Sequence, residues 1–287
     1  MPLEVIHNEF PKQEVLAIVK KSGSSFYWAM RLLPIQKREA IFAIYAFCRV
    51  VDDIADGDDQ PKTKLLKLNQ WRIEIENLFK GSPKNLIACA LDEPLNRYGL
   101  NKEDFMAVID GMETDATNHL RIRNLEALLL YCDQVACAVG RLSNAVFGLN
   151  KEQSWKLAKY LGEALQLTNI LRDIHEDAEL NRVYLPEDLL IQNGIKTTQT
   201  AKILKSPALV NVCEELAGRA RNNFKQAEEI SSTFNKTLIR PVIIMMKIYH
   251  RLFVLLERRG WERIDIPIKV SKLWILLLAA RILLFKK

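Results

Sequence analysis

Two acidic motifs in the sequence place carboxylates at helical spacing. The first, DDIAD, begins at Asp52 and directly follows the mostly apolar residues 40–51. Asp52 and Asp56 are four residues apart, so on a helix they project from one face about 40° apart and repel each other. A helix that is apolar nearly all round belongs in the interior, where an unbalanced charge is costly. Arg49, one turn earlier, can compensate only one of the two aspartates.

The second motif forms a polar stripe on another predicted helix. Gln166, Asn169, Asp173 and Asp177 follow one another at i, i+3, i+7 and i+11, which places them on one face of a helix. The last three put oxygen atoms that can bind a metal ion on successive turns. If the two stripes face each other, they form a cavity walled with carboxylates. Such hard oxygen ligands suit Mg²⁺, which commonly bridges a few carboxylates to substrate phosphates. His175 points away from the stripe and is interpreted as a rim residue, and no zinc-binding spacing occurs.

A solvated acidic surface is the competing interpretation of each motif, because an acidic pair at i, i+4 is common on exposed helices. Here two such motifs occur, each on a helix otherwise patterned for burial. Each also has an arginine beside it, Arg49 in the first and Arg172 in the second. Together they favour the binding of metal ions and a diphosphate.

The elements that must position these motifs are predicted to be helices. Eleven glycines and ten prolines are few for 287 residues, and long stretches carry a period of 3.6 with no alternating strand pattern. We therefore expect an all-α chain forming a single domain over residues 1–287, since no break is long or compositionally distinct. The predicted helices are 35–56, 62–79, 84–98, 101–118, 124–147, 151–179, 207–231, 236–260 and a terminal one.

Composition narrows the class of protein. The five cysteines include no C-x-x-C pair and mostly lie in apolar helical patterns, which is typical of reduced core thiols. The N-terminus lacks a signal-peptide pattern, so we expect a cytoplasmic location. The net charge of +6 suits a small polyanionic substrate, and the spread of basic residues disfavours nucleic acid as a partner.

The C-terminal segment has two open interpretations. Its apolar run, Leu273–Ala280, is far shorter than the roughly 20 residues of a spanning helix. Lys269, Lys272 and Arg281 flank or interrupt the apolar residues. The segment fits either a terminal helix packed on the core or a peripheral contact with the anionic inner face of a membrane.

The motifs, taken in order, resemble those of the squalene/phytoene synthases, which join two allylic prenyl diphosphates head to head. The resemblance covers almost the whole chain. Within the family, the motif sequences are most similar to those of the bacterial branch that makes presqualene diphosphate for hopanoids. The motifs that carry it are SGSSFYWAMRLLP (22–34), DDIAD (52–56), DGMETD (110–115), YCDQVACAVGRLSNAVFG (131–148) and NILRDIHEDAELNRVYLP (169–186).

The resemblance implies an isoprenoid-synthase helical bundle around a central cavity. It also implies that Mg²⁺ ions assist departure of the diphosphate from one farnesyl diphosphate, whose allylic cation is attacked by the C2–C3 alkene of the second. Loss of a proton then closes the cyclopropane of presqualene diphosphate. NADPH is not expected for this half-reaction, and downstream pathway enzymes are candidate partners. The implied metal ligands are Asp52, Asp56, Asn169, Asp173 and Asp177.

The resemblance also assigns substrate contacts. Tyr131 and Tyr184 join the four aspartates as catalytic residues, and three arginines, Arg49, Arg172 and Arg182, bind diphosphate. Small and apolar residues from the fourth motif line the prenyl tunnels. The implied substrate-binding residues are Ser25, Phe26, Tyr45, Arg49, Asp53, Val135, Ala136, Val139, Gly140, Gln166, Arg172, Arg182 and Tyr249.

Some features depart from the family pattern, and several activities share the architecture. Gly23 replaces a serine that many members carry, and a C-terminal arginine has no clear match, so Lys269 or Lys272 would replace it as a point charge. Phytoene synthase, acting on two geranylgeranyl diphosphates, and complete NADPH-dependent squalene synthase are the main alternatives. A head-to-tail prenyl elongase, a terpene cyclase and a non-catalytic helical partner protein are further ones.

Overall fold

The computed structural model describes residues 3–22, 30, 31 and 33–284. These residues form helices joined by short loops, and the described part of the chain contains no β-strand beyond one isolated bridge between Arg121 and Val183. The helices are α1 (Leu3–Lys21), α2 (Ile35–Asp56), α3 (Pro61–Phe79), α4 (Leu86–Tyr98), α5 (Lys102–Asp115), α6 (Leu125–Cys132), α7 (Ala138–Phe147), α8 (Lys151–Glu179), α9 (Glu187–Gln192), α10 (Thr200–Leu204), α11 (Leu209–Ser232), α12 (Arg240–Arg259) and α13 (Lys272–Leu284).

The long helices lie where the sequence pattern predicts them, and the bounds of α2 and α8 match the prediction to the residue. Asparagine side chains cap three helices: Asn85 caps α4, Asn124 caps α6 and Asn150 caps α8 by accepting a backbone N–H of the first turn. The N-terminal helix α1 and the short helices α9 and α10 were not among the predicted helices.

The predicted helix 124–147 is one rod with a wider turn in its middle. A π-helical turn over Asp133–Cys137 joins α6 to α7, and the N–H of Ala138 donates to the carbonyl of Asp133, five residues back. Turns of this kind insert an extra residue into a helix and occur often at functional sites.

Helix α8 packs against α7, the π-helical turn and α11, and it carries the second acidic motif through the core. Gly162 permits the close approach to the π-helical turn, since a Cβ there would lie 2.7 Å from the Sγ of Cys137. A buried hydrogen bond also joins α8 to α11, since the side-chain amide of Asn223 donates to the carboxylate of Glu163 over 2.8 Å. The register of α8 is therefore fixed on two sides.

All five cysteines are free, and Cys132, Cys137 and Cys213 are buried, as expected for reduced core thiols. Among the helices of the described residues, none combines the length and apolar character needed to cross a membrane.

Candidate active site

The C-terminal ends of α2 and α8 lie close together and carry the two acidic motifs. Arg182 lies just beyond α8, where Asn181 takes a left-handed conformation with φ of 56° and turns the chain back. From there Arg182 donates to Asp56 at the end of α2 over 2.8 Å and to the backbone carbonyl of Asp115 over 3.2 Å. We refer to the carboxylates Asp52, Asp56, Asp173 and Asp177, with the arginines that pair with them, as the acidic site.

On α2, Arg49 holds two of the three aspartates. Its guanidinium contacts Asp52 at 3.0 Å and Asp53 at 2.5 Å. Burial raises the pKa of Asp52 to about 6, and the nearby charge of Asp56 adds to the rise while Arg49 opposes it. The single arginine therefore does not balance the acidic end of α2, as its sequence predicted.

On α8, the side chains follow the polar stripe expected from their spacing. Arg172 binds Asp173 through two hydrogen bonds of 2.6 Å, from Nε and from a terminal nitrogen. Burial raises the pKa of Asp177 to about 7, with further contributions from Asp173 on its own helix and from Asp56 across on α2. The two stripes thus share one electrostatic environment, in which added positive charge would be favourable.

Asn169 of α8 has a buried polar atom whose hydrogen bonding is incomplete. Its Oδ1 atom is buried and has no hydrogen-bond partner among the described residues, while its Nδ2 atom reaches Gln166 at 3.5 Å. A buried carbonyl oxygen left without a donor costs free energy and calls for an explanation, such as a ligand that is bound in the working protein.

A buried carboxylate with two tyrosines lies beside the acidic site. Asp115, at the end of α5, accepts hydrogen bonds from Tyr131 at 3.0 Å and from Tyr184 at 2.7 Å. The two rings are tilted by 32° with centroids 5.2 Å apart. Burial raises the pKa of Asp115 to about 6, although both hydroxyls oppose the rise. Burial also raises the pKa of Tyr131 and of Tyr184, so both hydroxyls stay protonated and donate.

Asp115 is the functional candidate that the sequence did not single out. The motif DGMETD drew attention to its segment, but three acids in it have different environments. Asp110 and Glu113 face outward and pair with Arg72 of α3, whereas only Asp115 is buried. The sequence signal that could have identified Asp115 was an aspartate near the end of a predicted helix, combined with tyrosines in two of the other motifs.

An apolar cavity of about 150 Å³ lies between α2, the π-helical turn, α7, α8 and α12. Four of the predicted substrate-binding residues line it: Tyr45, Ala136, Val139 and Gly140. Gly140 allows the walls to approach closely, since a Cβ there would lie 3.1 Å from that of Ala158 on α8. The cavity therefore has the apolar lining that a hydrocarbon chain requires.

The remaining predicted residues lie in different surroundings and do not form one group. Val135 packs against Gly111 of α5 and is not part of the cavity lining. Tyr249 of α12 lies close enough to Arg172 to help raise the pKa of that guanidinium, after the larger effect of Asp173. His175 faces Glu179 at 3.8 Å, away from the aspartates. Ser25 and Phe26 lie outside the described residues.

Three of the four carboxylates of the acidic site pair with arginines, namely Asp52, Asp56 and Asp173. Over the ranges that the structure describes, no group of three or more His, Cys, Asp or Glu side chains is arranged to hold a metal ion by itself. Mg²⁺ has a less demanding requirement, since it retains water and is usually bound by one or two carboxylates together with substrate phosphates. The donor set and the unpartnered Asn169 oxygen fit that mode of binding.

Comparison with known proteins gives consistent matches over most of the chain. The model of the squalene/phytoene synthase family matches residues 19–274. A presqualene diphosphate synthase of Sinorhizobium fredii is 45% identical over 251 residues, which cover 88% of this chain and 90% of that protein. A chloroplastic phytoene synthase of Zea mays is 32% identical over 251 residues, covering 85% of this chain and 59% of that protein. A crystal structure of a dehydrosqualene synthase in complex with ligand has a TM-score of 0.82 at 25% identity, covering 97% of this chain and 98% of that one.

Proposed function

Because the chain belongs to the squalene/phytoene synthase family, we propose that it is a prenyltransferase that condenses two farnesyl diphosphates head to head into presqualene diphosphate. The observation that carries this proposal is the 45% identity to a presqualene diphosphate synthase along nearly the full length of both proteins. The phytoene synthase comparison gives 32%, which favours the shorter, C15 substrate over the C20 one.

We infer that the acidic site binds the diphosphate of the substrate that ionises. Asp52 and Asp56 of α2 and Asn169, Asp173 and Asp177 of α8 would hold Mg²⁺, supported by their oxygen chemistry and by the buried Asn169 oxygen that lacks a partner. Bound Mg²⁺ would neutralise the charge that develops on the leaving diphosphate. Burial and neighbouring carboxylates raise the pKa values of Asp52 and Asp177, and a bound cation would relieve that repulsion.

The arginines of the acidic site are suited to exchange partners. Arg49, Arg172 and Arg182 each hold a carboxylate, and a guanidinium pairs equally well with a diphosphate oxyanion. When metal ions take over the carboxylates, these three side chains can turn to the diphosphate without leaving a charge unpaired. Asp53, which contacts Arg49 at 2.5 Å, would keep that arginine oriented during the exchange.

The two tyrosines orient the reacting carbons rather than remove a proton. Tyr131 and Tyr184 donate to Asp115, and their raised pKa values keep them neutral, so neither hydroxyl is a base in this arrangement. Their ring faces can stabilise a neighbouring allylic cation. The proton lost on cyclopropane closure would then go to the released diphosphate.

We assign binding of the substrate's hydrocarbon chain to the apolar cavity. Tyr45, Ala136, Val139 and Gly140 line it together with buried side chains of α2 and α8. Excluding water there protects the cation from hydrolysis while the C2–C3 alkene of the second substrate attacks. Gln166 lies beside Asn169, and Tyr249 lies near Arg172, so both belong to the surroundings of the acidic site.

Product analysis tests the proposal. Purified protein is incubated with Mg²⁺ and farnesyl diphosphate, with and without NADPH, and extracted before and after phosphatase treatment. We expect presqualene alcohol only after phosphatase, whether or not NADPH is present. Squalene formed with NADPH would indicate a complete squalene synthase. Product from geranylgeranyl diphosphate alone would indicate a phytoene synthase, and no product from either substrate would contradict the family activity.

A further inference from the structure

A basic groove lies between α12 and α13, on the face of α12 that points away from the acidic site. It encloses about 1220 Å³, and its described lining contains no aspartate or glutamate. Within the part of the chain that the structure describes, none of its arginines or lysines forms an ion pair with a carboxylate. The five cations that define the basic groove are Lys236, Arg240, Lys247, Arg251 and Arg281.

Helix α13 has two apolar faces with different surroundings. One face, with Trp274, Leu278 and Ile282, packs against Ile244 and Ile248 of α12. The other face consists of three leucines, Leu273, Leu276 and Leu277, whose exposed fractions are 65%, 52% and 62%. Leucines adjacent on one helix face and exposed to this degree form a patch that water disfavours, which marks a contact surface.

We propose that this surface, the exposed leucines of α13 together with the basic groove, binds the anionic phospholipid bilayer. A bilayer offers both chemistries at once, since acyl chains accept the leucines and phosphate headgroups accept the five cations. Nucleic acid would pair with the cations but leave the leucines in water. Helix α13 is 13 residues long and does not span, so it lies in the plane of the interface.

The location of this surface connects it to the apolar cavity. Val242 and Met245 of α12 line the cavity, whereas Ile243 and Lys247 of the same helix line the basic groove. One helix therefore separates the two compartments. If the proposed function holds, a product with two long hydrocarbon chains would leave the cavity beside the bilayer, where it is soluble. The membrane contact itself does not depend on that function.

Vesicle flotation tests the membrane contact with the full chain and needs no catalysis. We expect binding to vesicles containing one third phosphatidylglycerol, little binding to pure phosphatidylcholine, and release of the protein as salt is raised. Leu276→Glu with Leu277→Glu should abolish binding. Lys247→Glu with Arg251→Glu should weaken it by at least about tenfold.

Matched variants control for net charge and for folding. Lys202→Glu with Lys205→Glu makes the same change in net charge on exposed residues of α10 and its end, and Leu65→Glu with Leu66→Glu does so for exposed leucines of α3. Both control pairs should bind as the wild type does, and circular dichroism should show the same helicity in all. Absence of wild-type binding, equal binding to neutral vesicles, or equal losses in the controls would overturn the proposal.

Discussion

The acidic site and the basic groove both concentrate charge, but they balance it differently. In the acidic site Asp52, Asp56 and Asp173 are paired inside the chain, with Arg49, Arg182 and Arg172 supplying the opposite charge. In the basic groove five cations have no carboxylate partner among the described residues. In the acidic site a ligand would therefore have to exchange with an internal ion pair. In the basic groove the cations can bind an external anion without such an exchange.

The difference also shows in where the apolar surface lies. Beside the acidic site the apolar residues turn inward and enclose a cavity, which suits a hydrocarbon chain that must be kept from water. Beside the basic groove the leucines of α13 turn outward, which suits a surface that is itself apolar. Charged and apolar residues therefore lie side by side in both regions. Beside the acidic site they suit a small-molecule substrate, and beside the basic groove they suit a membrane surface.

Loss of a carboxylate in the acidic site should have the largest effect. Asp52→Ala or Asp173→Ala removes an expected Mg²⁺ ligand, so we expect turnover of farnesyl diphosphate to fall by about a thousandfold or more. Circular dichroism should show the helical fold intact. Asp59→Ala, which only breaks a surface pair with Lys67, should retain activity. Wild-type turnover in either site variant would remove the aspartate assignment.

Loss of one exchanging arginine should cost less. Arg182→Gln removes a diphosphate contact and leaves Asp56 without its partner, so we expect kcat/KM to fall by about a hundredfold. Steady-state kinetics with a diphosphate competitor should show weaker inhibition in the variant. Arg221→Gln, which breaks surface pairs with Glu214 and Glu257, is the matched control. Unchanged inhibition by the competitor would place the effect elsewhere.

The buried Asp115 should make stability depend on pH. A carboxyl whose pKa rises from 3.8 to about 6 on folding binds more protons in the folded chain, so stability falls as pH rises through that window. Relative to Asp115→Asn, the wild type should lose about 2 kcal/mol of unfolding free energy between about pH 4 and pH 7. Urea unfolding at several pH values measures this difference.

Tyr131→Phe sharpens the same experiment. It removes a hydroxyl that lowers the pKa of Asp115, so the pH window should extend upward rather than disappear. A pH profile identical in all three proteins would show that Asp115 does not titrate in this range.

The smallest effect is expected from the basic groove. Lys247→Glu with Arg251→Glu should leave turnover of dispersed substrate within about twofold of the wild type, as is usual for surface changes away from a site. Activity assays without vesicles measure this. A loss comparable to that of Arg182→Gln would break the separation between the two regions.

Much of the architecture could be predicted from sequence because it depends on local pattern. Helices α2 and α8 have a strong apolar period and clear ends, and both were predicted with their observed bounds. The all-helical isoprenoid-synthase fold was also predicted and is confirmed by the likeness to the dehydrosqualene synthase structure. Helix α1 was missed because Pro11 and a weak apolar stripe hide its period.

The arrangement around Asp115 could not be predicted from local pattern. Its partners Tyr131 and Tyr184 are 16 and 69 residues away, and they meet only through packing of α5, α6 and the segment after α8. The pairing of Arg182 with Asp56 spans 126 residues for the same reason. The roles assigned to the site residues stay predictions until the variants are measured.

The π-helical turn sets the angular phase between two halves of one rod. Its extra residue lets Tyr131 on one side meet Asp115 while Val139 and Gly140 on the other side line the apolar cavity. Deleting a single residue within Asp133–Cys137 would rotate the two halves by about 100° and turn the tyrosine hydroxyl away. This segment should therefore not tolerate changes in length, whereas the surface loop after α3, at Gly81, should accept insertions.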